Sequence, residues 1–266
     1  MSDFSFEMQN ALMGYKHGVT HEPSCNLYSL HTHNWYELIY FVRGDATHII
    51  EDRKYKLKPG DIILVRPLQS HFIQIDSSET YERFTVRIDD PLLRERISSL
   101  FDANFEVINL PKESGVEEIL YRIDHYRQNL SDKEMECLFP SILNELLYSI
   151  KVASRGETVS TATILNPILS EAVAYINESL FAVKSISEVA EHLFVTESYL
   201  TQLFKRELHQ TPKRYINSKR LLLAQTMLRR GERPTDVYAK CGFSDYTVFY
   251  RSYKQFFGKA PSDDYR

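Results

Sequence analysis

The stretch from Ser185 to Leu208 constrains the fold of this 266-residue chain more than any other. It predicts two short helices joined by the three-residue turn Phe194-Val195-Thr196. Ser185 and Glu188 have the spacing of a capping box at the first helix, and Thr196 is placed to cap the second. Apolar residues recur at helical steps, as Ile186, Val189, Ala190 and Leu193 and then as Leu200, Leu203, Phe204 and Leu208. Two helices joined so tightly form a helix-turn-helix.

The same plan recurs nearer the carboxyl end. Residues 234–241 predict a short helix, Gly242-Phe243-Ser244 a turn, and residues 245–257 a second helix, one face of which is marked by Val248, Phe249, Ser252, Tyr253 and Phe256. Between the motifs, Thr211-Pro212 caps a long helix that runs to Arg230, with an apolar face of Tyr215, Ile216, Leu221, Ala224, Met227 and Leu228. That helix is about 27 Å long. The second helix of a helix-turn-helix enters the major groove of DNA. A connecting helix of this length could hold two such reading helices near one DNA turn apart, about 34 Å, so that both enter successive major grooves.

Roughly the last hundred residues resemble the DNA-binding domain of AraC/XylS-family transcription regulators. The matching positions are Thr196 to Glu207, Tyr215-Ile216, Arg220-Leu221 with Ala224, Cys241 to Asp245, Phe249, Arg251, Lys254, Phe257-Gly258, Pro261-Ser262 and Tyr265-Arg266. The resemblance implies an all-α domain with two helix-turn-helix units. It also implies a sequence-specific regulator that responds to an effector and is more often an activator.

Three residues depart from the family pattern. Phe194 stands where the turn usually carries Gly, and a positive φ there would strain a non-Gly residue by about 1 kcal/mol. His209 replaces another Gly that ends a helix, and Tyr238 replaces a small Ala in the second unit. Because Tyr does not fit a tight helix crossing, we expect either a splayed second unit or an outward-pointing Tyr238.

The exposed faces of the two reading helices supply the candidate DNA-binding residues. In family members, base contacts come from positions matching Ser198, Thr201 and Gln202, and a Gln side chain can bond an adenine edge twice. The whole candidate set is Glu197, Ser198, Thr201, Gln202, Lys205, Asp245, Tyr246, Thr247, Val248, Arg251 and Lys254. We interpret Lys205, Arg206, Lys213, Arg214, Lys219 and Lys254 as phosphate contacts or plain surface charge. The alternative for the whole set is an ordinary solvated surface.

Charge divides the chain in the same place. Residues 164–266 hold 15 basic and 11 acidic residues, a net charge of +4, whereas residues 1–163 have a net charge of −8. The basic part coincides with the helix-turn-helix motifs, as phosphate contact requires. We therefore expect double-stranded DNA to bind the carboxyl-terminal part and to be repelled by the rest.

The cysteines and the hydropathy predict a cytoplasmic protein. Cys25, Cys137 and Cys241 are odd in number and scattered, which suits reduced thiols better than disulfides or a metal cluster. Residues 1–10 are mixed and acidic and do not resemble a signal peptide, and no apolar run approaches membrane-spanning length, so we expect neither secretion nor a membrane span.

The first 90 or so residues predict short antiparallel strands in a small barrel or jelly roll. The predicted strands are residues 36–42, 47–51, 54–57, 61–65, 71–75 and 83–88. The spacing of His31, His33, Glu37 and Gly44 resembles the first motif of cupin barrels. Lys58-Pro59-Gly60-Asp61, with Pro67 and His71, resembles the second. The resemblance implies a cupin-like sensor barrel.

His31, His33, Glu37 and His71 are the candidate ligand-binding residues of this barrel. The matching residues of cupin enzymes bind a divalent metal, but Gln69-Ser70 stand where the second motif usually has a Gly. Three interpretations stay open: a metal site, a pocket for a small effector, and polar residues with a structural role. We expect a small effector and neither a metal nor a cofactor.

The segment after the barrel turns helical. Residues 91–101 predict a short helix, residues 105–110 a late strand, and Ser131 with Glu134 a capping box. Two apolar stripes follow helical steps, at Val116, Ile119, Leu120, Ile123 and Tyr126 and at Ile142, Leu143, Leu146, Leu147 and Ile150. The stripes fit either an intramolecular core or a contact with a second subunit, and we expect a homodimer. Residues 154–163 are small and polar and predict a linker.

These features together predict an α+β chain. A cupin-like effector-binding and dimerisation domain occupies residues 1–153, and a double helix-turn-helix domain occupies residues 164–266. The function expected is that of a DNA-binding transcription regulator, with RNA polymerase as a further partner and no membrane contact. The alternatives are a cupin-type metalloenzyme fused to a DNA-targeting domain and a DNA-binding adaptor that needs no ligand.

Overall fold

The computed structural model describes residues 4–10, 12–23, 30–157 and 160–265, and it divides into two compact units. The second unit runs from Ile164 onward and takes in two short earlier segments, Leu30–Asn34 and Glu51–Arg53. The rest of the chain forms the first unit. Cys25 lies outside the described residues, whereas Cys137 and Cys241 are free thiols, as predicted.

Antiparallel sheets form the framework of the first unit. Its strands are β1 (Phe4–Gln9), β2 (Met13–Thr20), β3 (Tyr36–Arg43), β4 (Ala46–Ile50), β5 (Arg53–Lys56), β6 (Asp61–Val65), β7 (His71–Ile75), β8 (Tyr81–Ile88) and β9 (Val107–Asn109). The large sheet has the order β1-β2-β8-β3-β6-β9, and its neighbouring strands all run antiparallel. The small sheet places β4 between β5 and β7. The unit boundary falls within the short strand β10 (Thr163–Ile164).

The large sheet is buried on both faces. Leu38 and Tyr40 of β3 belong to one core, together with helices α1 (Pro91–Leu100), α2 (Val116–Asn129) and α3 (Asp132–Ala153). Ile39 and Phe41 belong to a second core, which they share with residues of the small sheet. Since side chains alternate along a strand, a strand covered on both faces has a continuous apolar run. The architecture confirms the predicted α+β fold class.

The apolar stripe on α3 is intramolecular. Ile142, Leu143, Leu146, Leu147 and Ile150 are at most 4% exposed within the first core of their own unit. The simpler of the two interpretations of this stripe is therefore correct, and the stripe residues are not available to a second subunit. Ser131 and Glu134 do form the predicted capping box at the start of α3.

Strands β1 and β2 were missing from the sequence analysis. Strand β2 has the alternation of a strand, with Met13, Tyr15 and His17 all buried on one face. Its third inward residue is a histidine, which interrupts the apolar pattern that sequence analysis depends on.

A buried polar network fixes α2 against the large sheet. The imidazole of His17 lies between two carboxylates, with Nδ1 2.6 Å from Asp124 of α2 and Nε2 3.0 Å from Glu82 of β8. Tyr15 donates a hydrogen bond to Asp124 and Arg43 donates one to Glu82. Burial disfavours the charged imidazole, but hydrogen bonds to the two carboxylates outweigh burial and raise the pKa of His17.

We expect the first unit to lose stability as the pH rises above neutrality. A group whose pKa is higher in the folded state contributes fully below its unfolded pKa, about 6.5 for His. That contribution disappears as the pH passes the folded pKa. The difference in unfolding free energy between wild type and His17→Gln should therefore be larger at pH 6 than at pH 9. Fluorescence of Trp35, the single tryptophan, follows the unfolding of this unit. His125→Gln, which removes an exposed imidazole from α2, should keep the wild-type slope.

The second unit is helical and has two cores. Its helices are α4 (Pro167–Glu178), α5 (Ile186–His192), α6 (Glu197–Leu208), α7 (Pro212–Arg229), α8 (Pro234–Lys240) and α9 (Tyr246–Phe257). Helices α4, α5 and α6 pack around one core with Tyr215 and Ile216 of α7. Helices α8 and α9 pack around the other core with Leu221, Ala224 and Leu228 of α7. No helix in the described ranges is both long and apolar enough to cross a membrane.

The two helix-turn-helix units have the same turn geometry. Phe194 and Gly242 both have positive φ, 55° and 76°. The next residue in each turn donates a backbone hydrogen bond of 3.0 Å into the preceding helix, from Val195 to Ala190 and from Phe243 to Tyr238. His209 also has a positive φ of 54°. The positive φ that was expected to strain Phe194 is therefore present, and His209 is strained in the same way.

Tyr238 resolves its predicted conflict by partial exposure. It occupies the position that matches Ala190, and its half-buried ring packs at the edge of the second core. The ring meets Tyr246 edge-on, with the centroids 5.8 Å apart. The helix crossing therefore accommodates Tyr238, with its ring at the edge of the core.

We expect Phe194→Gly to stabilise the second unit. The side chain of Phe194 is 97% exposed, so removing it costs little packing. Left-handed backbone costs a non-Gly residue about 1–2 kcal/mol, and the extra unfolded-state entropy of Gly offsets about 0.5–1 kcal/mol of that. The net gain in unfolding free energy should be about 0.5–1 kcal/mol, measured by circular dichroism during denaturation. Phe194→Ala is the matched control because it removes the ring and keeps the strain. An equal gain in both variants would contradict backbone strain as the cause.

Candidate nucleic-acid interface

Helix α6 presents a polar face to solvent. Thr196 caps it by accepting a hydrogen bond from the Tyr199 amide at 3.1 Å, while four apolar side chains bury the opposite face. The predicted DNA-binding residues Glu197, Ser198, Gln202 and Lys205 are exposed, and Thr201 is half-buried. Ser185 caps helix α5 as predicted, by accepting a hydrogen bond from the Glu188 amide at 3.1 Å, although the Glu188 carboxylate accepts from the Lys184 amide at 2.9 Å and not from the Ser185 amide. The structure thus places the first candidate set on one accessible helix face.

Helix α9 carries the second candidate set. Asp245 caps the helix by accepting from the Val248 amide at 3.0 Å, and this backbone hydrogen bond holds the pKa of the Asp245 carboxyl low. Tyr246, Thr247, Val248, Arg251 and Lys254 are exposed. The predicted face of α9 is buried only along its centre. Phe249 and Tyr253 are buried, but Val248 and Phe256 are 42% and 43% exposed, because they lie at the edges of the stripe.

Most of the basic candidates are exposed around these helices. Lys205, Arg206, Lys213 and Arg214 all reach solvent. Lys213 and Arg214 also line a cleft of about 560 Å³, together with Asn217 of α7 and Ser252 and Gln255 of α9. These positions suit an anionic backbone.

The interpretation of Lys219 as a phosphate contact or surface charge is wrong, because this residue is only 3% exposed. Its ammonium lies 2.8 Å from Glu51 and 2.7 Å from Asn177, both within the second unit. Tyr215 donates to the same Glu51 carboxylate. A buried ammonium needs such partners, so Lys219 has a structural role.

In the first unit, polar side chains lie among the apolar residues between the sheets. Glu37 and His71 share a face with Ile39 and Ile73, which belong to the core between the sheets. Nε2 of His71 lies 2.9 Å from the Glu37 carboxylate. The buried ring of His48 meets the His71 ring with centroids 5.7 Å apart. The structure thus brings the predicted residues Glu37 and His71 together and adds His48.

Glu106 is a further buried polar residue that sequence analysis missed. It is 2% exposed and accepts hydrogen bonds from Tyr55 and from Gln69, the latter at 3.0 Å. Its only sequence signal is a carboxylate directly before the apolar strand β9. Together, the side chains of Glu37, His48, His71 and Glu106 make the space between the sheets unusually polar for a protein core.

His31 and His33 lie in the short segment that belongs to the second unit. Their rings are 5.8 Å apart, and His33 is buried whereas His31 is exposed. Glu37 and His71 lie in the first unit. A single ligand site formed by all four residues stays a prediction.

Models of known protein families match both the helical carboxyl-terminal part and the amino-terminal part of the chain. A model described as a helix-turn-helix domain matches residues 189–266, and a model described as an AraC-like ligand binding domain matches residues 24–136. The first match covers both helix-turn-helix units after the start of α5. The second covers most of the first unit.

Similar proteins match over most of their length. The HTH-type transcriptional activator RhaR of Cronobacter sakazakii is 23% identical over 231 residues, which are 84% of this chain and 82% of that protein. The HTH-type transcriptional activator RhaS of Escherichia coli K12 is 22% identical over 88% of this chain and 86% of its own. The crystal structure of ToxT from Vibrio cholerae O395 aligns with a TM-score of 0.40 and 15% identity, covering 96% of this chain and 97% of that one. Because an AraC-like ligand binding domain and a helix-turn-helix domain are matched in order, the chain belongs to the AraC family of DNA-binding transcription regulators.

Proposed function

We propose that this regulator binds two successive major grooves of one DNA duplex through α6 and α9, and activates transcription when its first unit binds a small effector. The observation that carries the proposal is a pair of capped helices, each with an exposed polar face, joined through α7. The functional domains are residues 1–153 for sensing and 164–266 for DNA binding, joined by residues 154–163. Activation is supported by similar proteins that are named transcriptional activators.

The exposed residues divide into two classes of DNA contact. Ser198, Thr201 and Gln202 of α6 are short or amide side chains that suit base edges, and Arg251 of α9 suits guanine. Tyr246, Thr247 and Val248 add apolar surface that suits the methyl group of thymine. Lys205, Lys254, Arg206, Lys213 and Arg214 suit the phosphate backbone, which fixes position but carries no base sequence.

Two neighbouring residues on α6 separate these classes. Gln202→Ala should lower affinity for the preferred operator by about tenfold and relax the preference at one base pair, since a bidentate pair is worth about 1–3 kcal/mol. Lys205→Ala should weaken all duplexes alike and reduce the salt slope by about one. The operator is first selected from random duplexes with the full chain. Binding is then measured by fluorescence anisotropy at several salt concentrations.

Glu136→Ala is a suitable control, because this exposed carboxylate lies on α3 and should change neither quantity. If the wild-type protein shows no preference for any duplex over bulk DNA, the proposed function is wrong. Identical behaviour of the two α6 variants would remove only the assignment of roles.

The effector should be a polar small molecule. Buried His48, His71 and Glu106 and half-buried Glu37 offer hydrogen-bonding groups between two apolar sheet faces, a combination typical of ligand sites. His31 and His33 are proposed to contact the same effector. We propose binding and not catalysis for this unit, because the similar proteins are named as transcription regulators.

His71 offers the test of effector binding. A panel of small polar metabolites is screened for a rise in melting temperature, and hits are confirmed by calorimetry. His71→Ala should weaken binding at least tenfold, because it removes a buried partner of the ligand. His125→Ala, which removes an exposed imidazole, should bind as wild type does. An unchanged heat signal in His71→Ala would exclude this side chain from the site.

The homodimer is also a proposal. Because the stripe on α3 is buried within its own unit, a second subunit would contact the opposite face of that helix. There Tyr148 and Val152 are 49% and 59% exposed and line a cleft of about 460 Å³. Contact with RNA polymerase and a cytoplasmic location follow from the proposed role in transcription.

A further inference from the structure

Arg220 of α7 is a buried cation whose partners are backbone carbonyls. The residue is 7% exposed. Its guanidinium donates to the carbonyl oxygens of Leu180 at 2.9 Å, Val183 at 2.6 Å and Gly242 at 2.9 Å. Burial lowers its pKa. Side-chain carboxylates are the usual partners of a buried Arg. Hydrogen bonds to three backbone carbonyls instead indicate that Arg220 holds separate segments of the backbone in position.

The three carbonyls belong to different halves of the second unit. Leu180 and Val183 lie between α4 and α5, and their side chains are part of the first core. Gly242 is the turn residue of the second helix-turn-helix, and its neighbours Cys241 and Phe243 are part of the second core. Arg220 therefore connects the frame of one motif to the turn of the other.

The contact requires these residue types. A guanidinium presents N–H groups in a rigid planar fork, so one side chain can donate in three directions, which the single ammonium of Lys does less well. Gly242 has a φ of +76°, and a Cβ there would lie 2.6 Å from the Phe181 carbonyl oxygen and 3.0 Å from the Arg220 guanidinium. Phe194, at the matching position of the first turn, is exposed and carries a side chain without such contacts.

We propose that Arg220 is the positioning residue that fixes the separation and rotation of α9 relative to α6, and thereby the one operator spacing that the regulator reads. This inference rests on the proposed function. Each helix-turn-helix packs through its own core on α7, a helix of 18 residues. The Arg220 guanidinium connects the two by donating hydrogen bonds to the backbone of both halves. Without the hydrogen bonds of the Arg220 guanidinium, each helix-turn-helix still folds on α7, but the angle between α6 and α9 varies.

The test uses the full chain and a series of duplexes made from its selected operator. The two groove segments are separated by the selected spacing or by one base pair more or less. One base pair shifts a segment by about 3.4 Å and rotates it by about 35°. Wild-type affinity should fall at least about tenfold for either change. In Arg220→Ala the affinity at the best spacing should fall, and the penalty for a changed spacing should shrink to less than about threefold.

Arg229→Ala is the matched control. Arg229 also lies on α7, so this variant loses the same charge toward DNA, but its partner is Asp264 near the end of the chain. It should bind more weakly or equally at all spacings and keep the tenfold spacing penalty. A spacing penalty is a readout that general loss of affinity or of charge does not change.

The outcomes distinguish a positioning role of Arg220 from DNA recognition by the regulator as a whole. A tenfold spacing penalty that persists in Arg220→Ala, or a wild type with no spacing penalty, would overturn the role of Arg220 and leave the proposed function standing. A wild type with no preferred DNA sequence would overturn the proposed function itself. If circular dichroism shows that Arg220→Ala does not fold, Arg220→Lys decides. It keeps the charge but not the fork, and it should also flatten the spacing profile.

Discussion

Helix α7 has to complete two hydrophobic cores at once, and the second unit depends on this constraint. Tyr215 and Ile216 close the first core, and Leu221, Ala224 and Leu228 close the second. A helix covered on more than one side buries residues around most of its circumference. Lys219 and Arg220 consequently lie inside the unit, where an unpaired charge would cost several kcal/mol. The neighbouring carboxylate of Glu51 and the carbonyls around Arg220 remove that cost, so these cations serve the fold.

The same constraint explains why the two turns differ in sequence although they share a backbone geometry. In the second turn, Gly242 lies against the Phe181 carbonyl and the Arg220 guanidinium, so a side chain does not fit. In the first turn, Phe194 points into solvent, and only backbone strain opposes it. A strain of about 1–2 kcal/mol is tolerable in a domain, whereas a Cβ pressed 2.6 Å from a carbonyl oxygen is not.

Sequence analysis succeeded where local signals and burial agree. Capping residues and apolar steps placed α6, α7 and α9 within a residue of their observed ends. It failed where a distant part of the chain supplies a partner. Lys219 has the pattern of surface charge, and only the fold brings Glu51 to it. His17 interrupts an apolar alternation, and only α2 supplies the Asp124 that allows the histidine to be buried. Glu106 and His48 were missed for the same reason, because a single polar residue within or directly before an apolar strand has no local signature of a shared interior.

The doubly buried sheet of the first unit gives effector binding a physical route to the helices. Along β3, Glu37, Ile39 and Phe41 face the interior with its buried polar groups, while Leu38 and Tyr40 face α1, α2 and α3. A ligand that moves Glu37, directly or through its hydrogen bond with His71, therefore moves a strand whose opposite face carries the helical layer. Tight packing makes such layers shift between discrete arrangements rather than deform smoothly. The size of the response is limited by the difference in effector affinity between the two arrangements. A polar ligand that exchanges hydrogen bonds with Glu37 and His71 in only one arrangement has the differential affinity that regulation requires.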